Sequence, residues 1–331
     1  MKRLLLLLLP PLLLALAAAA LAWQWWRAPL GLSQDTVELT IEAGSSPRQV
    51  AQAWVAAGVQ TDERLLWLGF RLSGQARLIR AGSYALERGD SPERLLQKMV
   101  RGEEQLESLA LIPGWTMREL RGALARAPGL RQTLGALSDA ELMARLGAPG
   151  QAAEGRFFPD TYRYGRGVSD LTVLREAHHA LERELLKAWA LRPQDSVLKT
   201  PEEALILASI VEKETGRAAE RARIAAVFHN RLRANMPLQT DPTVIYGLGA
   251  AFDGNLRKRD LQADTPFNTY TRRGLPPTPI ALVGRESLRA AVLPERSSAL
   301  YFVARGDGSS EFSATLEDHN RAVQRYQLSK P

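Results

Sequence analysis

The stretch TPEEALILASIVEKET, residues 200–215, decides how the larger part of this chain folds. Thr200 is a good N-cap, Pro201 suits the first helical position, and Glu203 occupies the acidic position of a capping box. The Leu, Ile and Ala residues that follow are typical of a helix in a protein core. The stretch therefore predicts a core helix from residue 201 to residue 215.

One carboxylate falls on the apolar side of this predicted helix. At about 100° per residue, Glu214 shares a narrow sector with three apolar side chains. These are Leu207, Ile210 and Val211. Glu212 lies well away from that sector, about 140° from Leu207. The pattern therefore predicts that Glu214, and not Glu212, faces apolar surroundings.

Spacing alone leaves two roles open for Glu214. Burial penalises the charged form of a carboxyl group and raises its pKa, so the group keeps its proton near neutral pH and can act as a general acid. A buried structural ion pair with an arginine such as Arg217 or Arg231 fits the same spacing.

Composition limits the other chemistries. The 331 residues are enough for about two domains. The absence of cysteine excludes disulfides, thiol nucleophiles and Cys-ligated metals. The four histidines form no H-E-x-x-H motif, and neither an esterase elbow nor a phosphate-binding loop is present. The 43 basic against 36 acidic residues, a net charge of +7, suit a polyanion or an anionic surface.

A long uncharged run, residues 4–26, begins the chain after two basic residues. Its 23 residues exceed the about 20 that cross a hydrocarbon core. Trp23, Trp25 and Trp26 at its far end fit the aromatic belt of a membrane interface. The run predicts an uncleaved transmembrane anchor; a cleaved signal peptide is the alternative, since residues 20–22 read ALA. Both an anchor and a signal peptide predict that the residues after about residue 30 are exported. The expected partner is therefore an anionic wall polymer or a membrane surface, and nucleic acid is not expected.

The segment after the uncharged run contains a repeated pattern. Residues 28–36 predict a linker, and residues 37–102 then show one pattern twice. In each copy a short strand pattern is followed by Ser-Pro and by a helix that ends at a glycine, Gly58 or Gly102. The repeat predicts a small α+β binding module, with a chance match as the alternative. Farther on, strand and helix patterns mix without a regular βαβ rhythm, which favours the α+β class.

Two polar segments follow the core helix. Residues 236–247 and 265–277 bring amides, hydroxyls and aromatic rings together within short loops. This composition suits sugar recognition, because binding residues often lie on loops. A proline-rich surface that binds nothing fits the same composition.

Several segments together resemble the endolytic murein transglycosylases, the YceG-like family, over the whole chain. The matching segments, in order, are ASIVEKET (208–215), ER (220–221), VFHNRL (227–232), LQTDPTVIYG (238–247), FNTY (267–270), GLPP (274–277), YFV (301–303) and HN (319–320). One departure is His229, at a position where the family pattern implies an apolar residue. This difference concerns local packing and leaves the chemistry of the other motifs unchanged.

The resemblance implies an α+β protein with a single transmembrane helix and a LysM-like subdomain before a mixed catalytic domain. The expected boundaries are 1–27 for the anchor, 28–36 for the linker, 37–105 for the subdomain and 106–331 for the catalytic domain. The anchor would lie in the bacterial inner membrane and the catalytic domain in the periplasm. Peptidoglycan synthases are implied as neighbours.

The resemblance also implies the reaction. The substrate would be peptidoglycan glycan strands, cleaved internally between N-acetylmuramic acid and N-acetylglucosamine to leave 1,6-anhydro ends and to terminate nascent strands. The essential glutamate of the family corresponds to Glu214, the second Glu of E-K-E-T, which favours the general acid over the ion pair. No metal or organic cofactor is needed. The side chains expected to line the sugar cleft are those of Gln239, Thr243, Tyr246, Asn268 and Tyr270.

Two other activities fit parts of the same pattern. A hydrolytic muramidase would need a positioned water and a second carboxylate, for which Glu154 and Asp241 are candidates. A non-catalytic wall-binding protein would use residues 37–102 to hold glycan and the remainder as scaffold.

Overall fold

The computed structural model describes residues 2–328, and the side chains of residues 2–9 and 12 lie outside the description. The chain forms two compact units. The smaller unit contains the residues up to Glu107 together with 128–131 and 163–168. The larger unit contains 108–127, 132–162 and the chain from Ser169 onward.

The smaller unit is built mainly from a two-stranded sheet and short helices. Its elements are α1 (Lys2–Arg27), β1 (Gly31–Leu32), β2 (Thr36–Ile41), α2 (Pro47–Ala57), β3 (Val59–Gln60), α3 (Glu63–Leu72), β4 (Gly82–Glu87) and α4 (Pro92–Arg101). Strand β2 pairs antiparallel with β4, from Thr36 opposite Glu87 to Ile41 opposite Gly82. The two predicted strand–Ser-Pro–helix patterns are confirmed as β2–α2 and β4–α4. Their helices begin at the caps Ser46 and Ser91.

The core of the smaller unit combines three aromatic rings with aliphatic side chains. Trp54, Phe70 and Tyr84 are buried, and Trp54 Nε1 donates a hydrogen bond to Met99 Sδ at 3.3 Å. Residues 28–36, predicted as a linker, contain strand β1, which pairs with β3. The apolar side chain of Leu30 explains this difference, because it is buried in the same core.

The larger unit is mainly helical and begins as the chain passes through β5 (Leu106–Ala110), which pairs with β6 (Thr161–Gly165). Near the end of the chain, strands β7 (Tyr301–Ala304) and β8 (Ser310–Ser313) form an antiparallel hairpin. The remaining elements are α5 (Met117–Arg126), α6 (Asp139–Arg145), α7 (Asp170–Ala190), α8 (Pro201–Glu214), α9 (Arg221–Arg233), α10 (Asp241–Leu248), α11 (Lys258–Gln262), α12 (Arg285–Val292) and α13 (Leu316–Val323). The predicted α+β class is therefore confirmed.

Helix α8 lies at the centre of the larger unit, as its sequence predicts. Thr200 caps it, and it packs against α7, α9 and α12. Every residue from Ala204 to Val211 is buried, so the helix has no exposed side over this length. The apolar sector predicted from periodicity is too narrow, because neighbouring helices cover α8 on all sides.

The N-terminal helix α1 carries the predicted anchor, residues 4–26. The side chains of residues 4–9 and 12 lie outside the description, as do residues 329–331 at the end of the predicted catalytic domain. Within the described residues, no helix has both the length and the apolar character required to cross a membrane.

Candidate active site

Glu214 is the last residue of α8 and lines a cavity of about 440 Å³. The wall of this cavity is formed by the end of α8, the segment from Leu238 to Asp241, Tyr270, strand β7 and helix α13. The lining is mixed, with a carboxylic acid, a guanidinium, an amide and aromatic rings facing the same space. Such a cavity can hold a polar ligand that also presents apolar faces.

Burial raises the pKa of Glu214 from its ordinary value of 4.5 to about 7. A hydrogen bond from Thr240 Oγ1 to Glu214 Oε1 stabilises the ionised form and opposes this rise, while the charge of Asp241 adds to it. The position at the end of α8 acts in the same direction as burial, since the C-terminal end of a helix carries partial negative charge. Glu214 therefore holds a proton near neutral pH and can also release it.

The two arginines considered as ion-pair partners are engaged elsewhere. Arg217 Nη2 donates to the carbonyl of Asp307 at 2.5 Å. Arg231 Nε donates to the carbonyl of Leu300 at 2.7 Å. In the part of the chain that the structure describes, neither arginine is among the groups that shift the pKa of Glu214, which are Thr240 and Asp241 besides burial. The pKa of the Glu214 carboxyl is therefore not lowered by a neighbouring guanidinium.

Three buried threonines fix the hydroxyl that contacts Glu214. Thr240 N–H donates to Thr269 Oγ1 at 3.1 Å, and Thr269 Oγ1 lies 2.9 Å from Thr243 Oγ1. Thr243 Oγ1 in turn donates to the carbonyl of Thr240 at 2.8 Å. All three side chains belong to residues that are at most 2% exposed. This network fixes the backbone of Thr240, so its hydroxyl is held against Glu214.

Arg231 positions the segment that carries Gln239. Its Nη1 donates to the carbonyl of Leu238 and to Gln239 Oε1, both at 3.0 Å. The guanidinium also lies 5.1 Å from the centroid of the Tyr301 ring. Gln239 has a φ of 51°, a left-handed conformation that is uncommon for a residue other than glycine. Because its Oε1 accepts from Arg231, the side-chain NH₂ of Gln239 is the group available to a ligand.

Asp241 and Tyr270 form a second polar part of the cavity wall. Tyr270 OH donates to Asp241 Oδ1 at 2.5 Å. Burial, followed by the contact with Asp241, raises the pKa of the Tyr270 hydroxyl, so it remains a donor at physiological pH. Asp241 is the first residue of α10, where the N-terminal end of a helix favours negative charge.

Comparison with known proteins assigns the chain to a family. Residues 39–325 match the model of the YceG-like family. The chain belongs to this family. The resemblance read from the motifs is therefore confirmed.

Relatives in three bacteria are similar over most of this chain. An endolytic murein transglycosylase of Bacillus subtilis is 30% identical over 315 residues, covering 90% of this chain and 87% of that protein. One of Streptococcus pneumoniae is 26% identical over 331 residues, covering 90% of this chain and 60% of that protein. The crystal structure of a yceG-like protein from Listeria monocytogenes, with 30% identity, matches with a TM-score of 0.55 over 87% of this chain and 99% of that chain.

The two glutamates of the YceG-like E-K-E-T segment have different surroundings. The Glu212 side chain is only 6% exposed. Burial is predicted for Glu214 and not for Glu212, so this part of the helix-face prediction is wrong. Glu212 Oε1 lies 3.5 Å from Arg221 Nη2, and Glu212 Oε2 accepts from the Gly284 N–H at 2.9 Å. Glu212 is thus a paired structural carboxylate, whereas Glu214 opens onto the cavity. Their partners distinguish the two residues, and burial does not.

The predicted cleft residues occupy three kinds of position. Gln239 and Tyr270 lie on the cavity wall with Glu214. Thr243 and Asn268 are fully buried. Asn268 Nδ2 donates to the carbonyls of Leu261 and Ala263 at 3.0 and 2.7 Å. Its Oδ1 accepts from the N–H of Tyr270 at 2.9 Å, so Asn268 fixes the loop that presents Tyr270.

The remaining predicted residue, Tyr246, contacts Glu154. Its hydroxyl hydrogen-bonds the Glu154 carboxylate, which also accepts from the Met117 N–H at 3.0 Å. Burial raises the pKa of Glu154. Neither Tyr246 nor Glu154 is among the described residues that line the cavity around Glu214. Glu154 instead caps the start of α5, and Asp241 is the candidate second carboxylate that shares the cavity.

His229, the departure from the family pattern, fits into the core. It is 1% exposed, and its Nε2 donates to the carbonyl of Ala291, 2.8 Å away. Its Nδ1 is buried without a partner in the described part of the chain. Burial lowers the pKa of this histidine, which keeps the ring neutral. The ring therefore packs as a neutral side chain between α9 and α12.

Some site residues are not identified by sequence reasoning. Thr240 contacts the Glu214 carboxyl, and Thr269 fixes the backbone of Thr240, although the sequence marks both residues only as members of longer motifs. His319 lines the cavity and stacks on Tyr301, with their ring centroids 5.2 Å apart. The order of motifs along the chain is the one sequence feature that points to these residues. The contact between Thr240 and Glu214 joins residues that are 26 positions apart, so it produces no periodic pattern in the sequence. In the described part of the chain, no group of His, Asp and Glu side chains is arranged to hold a metal ion.

Proposed function

We propose that this chain is a lytic transglycosylase that cleaves the bond between N-acetylmuramic acid and N-acetylglucosamine inside peptidoglycan strands. The observation that carries the proposal is the Glu214 carboxyl, with a pKa raised to about 7, at a polar cavity. Its relatives in Bacillus subtilis and Streptococcus pneumoniae are endolytic murein transglycosylases, which supports the same reaction.

In the proposed first step, protonated Glu214 donates its proton to the glycosidic oxygen as the C1–O bond breaks. Positive charge develops at C1 of the muramyl ring. The acetamido carbonyl oxygen of the same sugar stabilises this charge from the opposite side, as in other substrate-assisted reactions. The hydrogen bond from Thr240 to Glu214 Oε1 stabilises the carboxylate that this step produces.

In the second step, the same carboxylate takes the proton of the muramyl 6-hydroxyl. The oxygen then attacks C1 and closes the 1,6-anhydro ring, which returns Glu214 to its protonated form. No water enters and no second carboxylate is required, because the nucleophile is part of the substrate and has a high effective concentration. The NH₂ of Gln239 and the ring of Tyr270 would contact the sugars from the wall, and Thr243 and Asn268 hold the backbone of that wall. Tyr246 hydrogen-bonds Glu154 and is not among the described residues that line this cavity.

The mass of the products tests the reaction. Purified protein acting on isolated glycan strands should give muramyl ends lighter by one water than hydrolysed ends. The Glu214→Gln variant should lose nearly all activity, whereas Glu176→Gln, which removes an exposed carboxylate from α7, should retain it. Full activity of Glu214→Gln would contradict the assignment of the acid.

A hydrolytic muramidase is the second candidate, favoured by one observation. Asp241 lines the same cavity as Glu214, so it could activate a water molecule. In that case the products would be reducing ends only, and Asp241→Asn would abolish their formation. Anhydro ends that persist in Asp241→Asn would exclude this reaction.

We also propose the cellular arrangement. Residues 1–27 anchor the chain in the bacterial inner membrane with the catalytic domain, residues 106–331, in the periplasm. Support comes from the 23 uncharged residues of 4–26 and the tryptophans at the far end of this run. Extraction of membranes with alkaline carbonate should leave the full chain in the pellet. Release into the supernatant, or a mature chain that begins after residue 22, would favour the signal-peptide alternative.

Residues 37–105, which lie within the smaller unit, are proposed to form a LysM-like subdomain that holds glycan. Its two strand–helix repeats support this role. Anchored beside peptidoglycan synthases, the enzyme would terminate nascent strands. Cells without the protein should then contain longer glycan strands, and strands of unchanged length would contradict the role.

A further inference from the structure

Helix α3 of the smaller unit exposes a stripe of leucines. Leu65, Leu68 and Leu72 are 50%, 42% and 77% exposed. Their spacing of three and four residues places them along one side of the helix. The opposite side, with Leu66 and Phe70, is fully buried in the core of the unit. The helix is thus apolar on both sides, and among the described residues the leucine side remains exposed.

The end of α1 packs directly on this helix. Trp26 contacts the Phe70 ring edge-on, with centroids 6.5 Å apart. The contact depends on Gly69, because a Cβ there would lie 2.4 Å from Trp26 Cζ3, closer than real Cβ atoms approach other atoms. The two helices therefore form one surface.

This surface is apolar and open. A groove of about 600 Å³ between α1 and α3 is lined by apolar groups of both helices. Leu21 and Trp23 on α1 are 67% and 59% exposed, so the exposed leucines of α3 continue the exposed side of α1. Soluble proteins rarely leave contiguous apolar patches of this kind in water, and where they occur they mark binding surfaces.

Arginines lie beside the groove, and one of them, Arg27, also pairs with Glu93, with Nε 3.4 Å from Glu93 Oε2. Arg27 lies 4.2 Å from the centroid of Trp23, and Arg71 lies 5.6 Å from that of Trp67. Arg64 is exposed on α3, whereas the acidic residues of this helix, Asp62 and Glu63, are confined to its start. A leucine stripe flanked by tryptophan and arginine is the composition of a helix that lies in a lipid interface.

We propose that the leucine side of α3 lies in the headgroup region of the membrane and contacts lipid beside α1. The inference rests on the proposed anchoring by residues 1–27. Continuity with the uncharged helix selects lipid over a protein partner, and the arginines fit anionic headgroups. Contact of both helices with the bilayer would fix the smaller unit at the membrane surface, where newly made strands emerge.

Because the chain has no cysteine, single labels can be placed without background. The full-length protein, with an environment-sensitive fluorophore at Leu68→Cys or Leu72→Cys, is reconstituted in vesicles of phosphatidylcholine with one quarter phosphatidylglycerol. The matched control is Glu42→Cys, at an exposed residue just after β2. A lipid-borne nitroxide should quench the α3 labels at least about twofold and leave the control unchanged.

Three other outcomes overturn the inference in different ways. In protein that floats with the vesicles, α3 labels that the lipid-borne nitroxide leaves unquenched and aqueous iodide quenches freely would contradict contact of α3 with lipid while leaving the anchor intact. Protection of the α3 labels from aqueous iodide without nitroxide quenching would indicate a second copy or another protein on this surface. Failure to float would contradict the anchoring and, with it, this inference. The mass of the reaction products is unaffected by any of these results, so the proposed chemistry is tested separately.

Discussion

The raised pKa of Glu214 predicts that ionisation of this carboxyl lowers the stability of the folded chain as the pH rises. Below about pH 4.5 the carboxyl is protonated in both the folded and the unfolded chain. Between pH 4.5 and 7 the unfolded chain releases its proton while the folded chain retains it. The folded state then binds more protons, so the free energy of unfolding falls as the pH rises. Above pH 7 both states are ionised and the loss is complete.

The size of the effect follows from the same values. A rise of the pKa from 4.5 to about 7 corresponds to about 3 kcal/mol, since each pKa unit is worth about 1.4 kcal/mol. Glutamine has the same shape and no charge to bury. It can also accept the hydrogen bond of Thr240. The Glu214→Gln variant should therefore gain about 3 kcal/mol over the native protein between pH 4.5 and pH 8.

Urea titrations of the full chain in detergent, followed by circular dichroism at several pH values, measure this difference. Glu176→Gln, at an exposed residue of α7, is the control and should follow the native protein throughout. A stability difference between Glu214→Gln and the native protein that stays constant from pH 4.5 to pH 8 would show that the carboxyl ionises normally. The reasoning that makes it a general acid would then be wrong.

Three further substitutions test the surroundings of this carboxyl. Thr240→Val removes the donor to Glu214, so the alkaline limb of the pH profile of kcat/KM should move to higher pH by about one unit. Thr240→Ser keeps a hydroxyl and should retain the native limb. An unchanged pH profile in Thr240→Val would contradict the contact. Arg231→Met should lower the free energy of unfolding by about 3 kcal/mol, measured by urea titration, since buried carbonyls lose their donor; the exposed Arg233→Met should change it little. Asn268→Ala should lower kcat/KM about tenfold without changing the product mass, and native kinetics would contradict its positioning role.

Sequence reasoning was most successful where a single local interaction decides the structure. The caps Ser46, Ser91 and Thr200 each begin a helix as predicted, because an N-cap satisfies backbone groups within three residues. The membership of the YceG-like family also followed from motif order alone. For Glu214, the helix spacing and the motif led to the same residue, although the spacing argument did not recognise that Glu212 is buried as well.

The contacts that the sequence did not reveal join distant parts of the chain. Asn268 was predicted to line the cleft, yet its amide is used to fix the loop before Tyr270. Tyr246 lies in the motif after Thr240, but its hydroxyl points to Glu154. A polar side chain on a loop has the same signature in sequence whether it faces a ligand or a buried carbonyl. Only the three-dimensional arrangement distinguishes these cases.

The arrangement around Glu214 explains how one carboxyl can move a proton in both directions. If it were buried without a donor, its pKa would rise further and it would seldom become a base. If an arginine were paired with it, the pKa would fall and it would seldom be an acid. The hydroxyl of Thr240 provides an intermediate degree of stabilisation, and Arg231, the nearby cation on the cavity wall, is held by backbone carbonyls instead. The interactions that hold Arg231 on backbone carbonyls therefore contribute to the proton transfer together with the contact of Thr240.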